Sequence, residues 1–127
     1  MSDFTKEELQ KAIPTIASMI SRSEKVQPKF KEGTPQATLT RNRLKALYIS
    51  TSLIKKELNS EFLFENITKE DLEKALPPIT STISKCEKAQ EKLKEGTPQL
   101  SLTKNMIKSL YISLSLITKE LNKLVSD

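Results

Sequence analysis

A gap-free internal repeat limits this chain more than any other feature. Shifted by 63 positions, residues 4–64 align with 67–127, and 36 of the 61 pairs are identical. Thr5-Lys6-Glu7-Glu8-Leu9 recurs as Thr68-Lys69-Glu70-Asp71-Leu72, and Lys31-Glu32-Gly33-Thr34-Pro35-Gln36 as Lys94-Glu95-Gly96-Thr97-Pro98-Gln99. Leu47-Tyr48-Ile49-Ser50 returns as Leu110-Tyr111-Ile112-Ser113. A unit of this size encloses little apolar volume by itself. The two copies are therefore expected to share one interior, making 1–127 a single domain built from repeats 4–64 and 67–127.

Each copy opens with a helix-start signal. Thr5 can cap the helix while Glu8, three residues on, closes a capping box, and Phe4 can staple to Leu9. Thr68, Asp71, Ile67 and Leu72 repeat the pattern. An apolar stripe then follows helical spacing: Leu9, Ile13, Ile16, Ile20, Ser23, Gln27 and Phe30, matched by Leu72, Leu76, Ile79, Ile83, Cys86, Gln90 and Leu93. Pro14 and the pair Pro77-Pro78 fall inside these helices, where a proline costs about 3 kcal/mol. A kink or a short separate helix is expected there, and Pro28 adds an irregularity to the first copy only.

Gly33 and Gly96 suit the left-handed position that ends a helix, with the following threonine as the next N-cap and proline as its first residue. The second helices carry Leu44, Leu47, Thr51, Ile54, Leu58 and Ile107, Leu110, Leu114, Ile117, Leu121, Leu124 at three-four spacing. The short connection from Asn59 to Asn66 contains Phe62, Leu63 and Phe64, which are expected to pack. Together these signals predict an all-α, up-down-up-down four-helix bundle made of two tandem helical-hairpin repeats.

Composition excludes several chemistries. The chain has no histidine, so it has no Ser-His-Asp or Cys-His nucleophile and no histidine-ligated metal. Its one cysteine, Cys86, cannot form an internal disulfide and sits on the core stripe. Gly33 and Gly96 do not make a phosphate loop, because Pro35 and Pro98 remove a donor and no glycine-rich motif surrounds them. No inward carboxylate pair suggests acid–base work. The expectation is a non-enzyme with no cofactor, no metal and no membrane span. The opening residues lack a signal peptide's basic and apolar regions, which suggests a cytoplasmic protein.

Two surfaces remain. Ile49 and Ile112 lie almost opposite the main stripe of the second helices, and Leu53 and Leu116 lie to one side; Leu39, Ala46, Leu102 and Met106 widen the arc. Either these helices sit centrally, or Ile49, Leu53, Ile112 and Leu116 form an interaction surface, for a protein partner or for a homodimer. The second surface is basic. Arg41, Arg43, Lys45, Lys104 and Lys108 cluster near the starts of the second helices, where no acid intervenes. Arg41, Lys45 and Tyr48, like Lys104, Lys108 and Tyr111, follow i, i+4, i+7 spacing. Such a stripe can hold phosphates while a ring stacks on a base. The leading expectation is thus a helical protein-interaction module, and the alternative is a nucleic-acid or polyanion binder.

Overall fold

A computed structural model describes residues 4–59 and 67–126. Four helices, α1 (Lys6–Val26), α2 (Pro35–Leu58), α3 (Lys69–Gln90) and α4 (Pro98–Ser126), pack as a four-helix bundle, with one 3-10 turn at Gln27–Lys29. Phe62, Leu63 and Phe64 lie outside the described residues.

Both first-helix starts are capped as their sequences require. The Thr5 hydroxyl accepts the Glu8 backbone N–H at 3.0 Å, and the Glu8 carboxylate accepts the Thr5 N–H at 2.9 Å. Thr68 and Asp71 repeat this at 3.0 and 3.1 Å. Phe4 and Ile67 are partly buried against the core cluster that contains Leu9 and Leu72.

The internal prolines do not split the helices: α1 runs through Pro14 and α3 through Pro77 and Pro78. Each proline withholds a donor from the carbonyl four residues earlier. The compensation is burial. Leu9, Ala12, Ile16 and Met19 are buried on α1, and Leu72, Ala75, Ile79 and Ile83 on α3. At about 1.5–3 kcal/mol for each large side chain, the packed face outweighs the lost bonds.

The glycines do a different job from the one their context suggests. Neither first helix reaches its glycine: α1 stops at Val26 and α3 at Gln90. Pro28 lies in the 3-10 turn, but its counterpart is Glu91 and that helix ends at nearly the same place, so proline is not the sole cause. In both copies the last turn tightens through i→i+3 bonds, from Phe30 N–H to the Gln27 carbonyl and from Leu93 N–H to the Gln90 carbonyl. Gly33 (φ +85°) and Gly96 (φ +79°) then occupy the third position of a β-turn closed by Thr34 N–H on Lys31 O and Thr97 N–H on Lys94 O. That position of a type II turn demands positive φ. Thr34 and Thr97 go on to cap α2 and α4 by accepting the N–H groups of Ala37 and Leu100.

The four helices are not equivalent. α2 and α4 touch each other and both remaining helices, whereas α1 and α3 make no contact among the described residues. The wide apolar arc of the second helices follows from this central placement. Ile49, Leu53, Ile112 and Leu116, expected as an exposed interaction surface, are instead buried at 6%, 4%, 1% and 4% exposure. The physical reason is that each second helix has two apolar sides to cover, one against its own hairpin partner and one against the other hairpin. Leu124 departs in the opposite direction. It belongs to the extension of α4 past Leu121, the counterpart of the last residue of α2, and it is exposed.

Side chains across the hairpin boundary pair reciprocally. Lys56 bonds Glu120 at 2.9 Å, and the counterpart Lys119 bonds Glu57 at 3.3 Å. Lys45 reaches Asp71 and Lys108 reaches Glu8, each at 3.0 Å. Residue i meets j while the counterpart of i meets the counterpart of j, which is the signature of a two-fold interface. Ser50 and Ser113 are fully buried at equivalent positions, and each hydroxyl donates to the carbonyl four residues earlier.

Candidate functional site

The residues expected to hold a polyanion are distributed by the fold onto internal partners. Arg41 pairs with Glu32 at 3.4 Å, while Lys45 and Lys108 are the two bridges to Asp71 and Glu8. The Tyr48 hydroxyl donates to Glu24, and Tyr111 donates to Glu87 at 2.9 Å. These bonds raise both phenol pKa values above their ordinary value, with partial burial adding to the effect. Glu8 and Asp71 titrate below their ordinary values, first because they accept the N-cap backbone N–H of Thr5 and Thr68, then because of Lys108 and Lys45. Of the seven expected residues, Arg43 and Lys104 alone make no ion pair or side-chain hydrogen bond within the described structure. The structure therefore does not bring the set together as one free basic face.

Arg43 has a different setting. It stands half-buried on the wall of a groove between α2 and α3, with a volume of about 530 Å³, lined by Leu39, Asn42, Arg43, Lys74, Pro77, Pro78, Ser81 and Lys85. The five α3 residues come from positions 74, 77, 78, 81 and 85, spacing that puts them on one helix face. Leu39 is 59% exposed, the highest value among the large apolar side chains described. Three cations line the groove and no carboxylate does. Lys74 makes only a surface pair with Glu70, both side chains 72% exposed, an interaction that contributes little. Arg43 and Lys85 make none within the described structure.

The repeat provides an internal comparison. Between α1 and α4 a depression of about 370 Å³ includes Lys11, Pro14, Thr15 and Asn105, which are equivalent to groove residues, but it lies nearer the helix start and also takes in Glu8 and Lys108, already bonded to each other. The counterparts of Arg43 and Pro78 are Met106 and Thr15. The positions equivalent to the α2–α3 groove keep Lys11, Pro14 and Arg22, so the groove is set apart by a third cation, Arg43, and a second proline ring, Pro78.

Sequence reasoning found Arg43 as a cation, Leu39 as part of an apolar arc and Pro77-Pro78 as a helix problem, without joining them. It missed Lys74, Ser81 and Lys85. The one available signal was their shared face on α3 at three-four spacing; what joins them to α2 is the packing between hairpins.

Cys86 is buried beside this region, and burial raises its thiol pKa, outweighing the opposing pull of Arg43 and Arg22. That combination describes a core thiol. Among the described residues no three His, Cys, Asp or Glu side chains gather as a metal site would require, and no helix is long and apolar enough to cross a membrane. The chain matches no protein-family model, no curated protein and no solved structure.

Proposed function

We propose that this chain is a non-enzymatic helical protein-interaction module whose partner seats in the α2–α3 groove. The observation that supports this reading is the joint presence of exposed Leu39 and the two proline rings with Arg43, Lys74 and Lys85 along one depression. An exposed apolar side chain in a concave, like-charged setting is a recognition feature rather than a folding one. The reading includes a cytoplasmic setting, supported by a single cysteine buried as a free thiol. Self-association through Ile49, Leu53, Ile112 and Leu116 has no part in it, because those side chains form the bundle interior. Polyanion binding is the weaker reading, since most of its cations hold internal carboxylates.

Position-specific photo-crosslinking in the source cells tests the proposal. A benzophenone-bearing residue at position 39 should give one discrete adduct with another protein, identified by mass spectrometry. The same residue at the equivalent position 102 should not, and Arg43→Met should abolish the adduct at 39. No adduct at 39, or the same adduct from both positions, would overturn the reading.

A further inference from the structure

Resting on that reading, we infer that the occupant of the α2–α3 groove is an acidic amphipathic helix of another protein, with carboxylates flanking an apolar side chain. The charge argument comes first. Lys74 and Lys85 lie eleven residues apart on one face of α3, which sets their backbones roughly 16 Å apart along the axis. Arg43 projects from the opposite wall, and no carboxylate lines the space between. Cations at both ends call for an occupant with more than one anionic group along its length. A fatty acid has a single carboxylate and leaves one end unmatched.

The apolar argument narrows the class further. Between the cations lie Leu39, Pro77 and Pro78, which offer aliphatic surface. No aromatic side chain lines the groove to stack a nucleic-acid base. Both walls are helices, whose backbone groups are largely committed to their own hydrogen bonds, so an extended peptide would find few partners for its N–H and C=O groups. A helix satisfies its own backbone and presents side chains at i, i+3 and i+4 to such a groove. A second copy of this chain is disfavoured as the occupant by its net charge of +5.

The probe is a fluorescein-labelled helical peptide of about 16 residues, with glutamates about eleven residues apart and leucines midway. Fluorescence anisotropy with the full chain should show saturable binding that weakens at least tenfold when the glutamates become glutamines. It should weaken at least tenfold in Arg43→Met/Lys85→Gln, with the thermal melt of that variant unchanged. Met106→Gln, on the counterpart surface, should bind like the parent chain. Equal binding by the glutamine peptide, undiminished binding by the double variant, or full displacement by a single-stranded oligonucleotide at low salt would overturn the inference. If no acidic peptide binds although the position-39 adduct forms in cells, the occupant's chemistry is wrong and the interaction reading survives. If neither occurs, both fail.

Discussion

The α2–α3 and α1–α4 surfaces come from the same repeat unit, share a neutralised pair near the helix start, and differ at a few positions beyond it. Around α1 and α4, Glu8 and Lys108 neutralise one another inside the depression. Around α2 and α3, the equivalent pair Asp71–Lys45 lines a neighbouring depression of about 220 Å³ closer to the helix start, and the larger groove beyond it has cations only. The difference depends on few positions. Arg43 faces where the other copy has Met106, and Pro78 where it has Thr15. The interior, by contrast, is conserved between the copies at Ile16 and Ile79, Leu47 and Leu110, and Ile54 and Ile117, all nearly or fully buried. Packing has stayed common to the two hairpins while the exposed chemistry has separated.

The largest expected effects test the shared half of that comparison. Ile54→Ala and Ile117→Ala should each cost about 2–5 kcal/mol, as large-to-small changes in a packed core do. Ile49→Ala and Ile112→Ala should fall in the same class, while Leu102→Ala, on the exposed side of α4, should stay within about 0.5 kcal/mol. Urea denaturation measures all five. A small loss at Ile49 and Ile112 would mean that the second apolar face of the central helices is not part of the core.

Next come the turns. No atom lies within 4 Å of a Cβ added at Gly33 or Gly96, so Gly33→Ala and Gly96→Ala should cost only the left-handed backbone penalty, about 1–2 kcal/mol. Equal losses at both sites by thermal denaturation would support one turn used twice. Unequal losses would show that the 3-10 turn before Gly33 strains the first copy. Thr5→Ala and Thr68→Ala should follow, at about 1 kcal/mol each from loss of the N-cap, read by the same denaturation.

The smallest expected effect is in pH dependence. Glu8 and Asp71 titrate below their ordinary values of 4.5 and 3.8. A depressed folded-state pKa means that the unfolded chain binds protons first as the pH falls. Their stabilisation is therefore complete above those ordinary values and is lost as the pH falls through the lower folded-state values. The melting temperature should decline in that acid range, and the decline should be shallower in Glu8→Gln/Asp71→Asn, where the titrating carboxylates of the capping boxes are gone. An unchanged slope in the double variant would show that the capping boxes do not set it.

Much of the fold was legible because its signals are local. Thr5 with Glu8 and Thr68 with Asp71 specify helix starts within four residues, and the three-four stripes specify which face turns inward. The errors were non-local. Ile49 and Ile112 read equally well as an exposed patch or as a second buried face, because the pattern on one helix does not say how many neighbours it has. Gly33 and Gly96 signal positive φ in the sequence, but the end of the preceding helix lies in the tightening of residues 27–30 and 90–93, for which the glycine itself carries no signal. The α2–α3 groove was least legible of all. Its cations come from two helices in different repeats, and the spacing of Lys45 and Lys108 along their helices carries no sign that they pair with Asp71 and Glu8.

The most direct test compares the two grooves in one spectrum. In ¹⁵N-labelled protein titrated with the acidic helical peptide, backbone shifts should concentrate at Asn42, Arg43, Ser81 and Lys85. The counterpart residues Asn105, Met106, Ser18 and Arg22 should stay unmoved. Equal shifts at both sets, or shifts confined to the counterpart set, would contradict the claim that the α2–α3 groove alone has become the partner site.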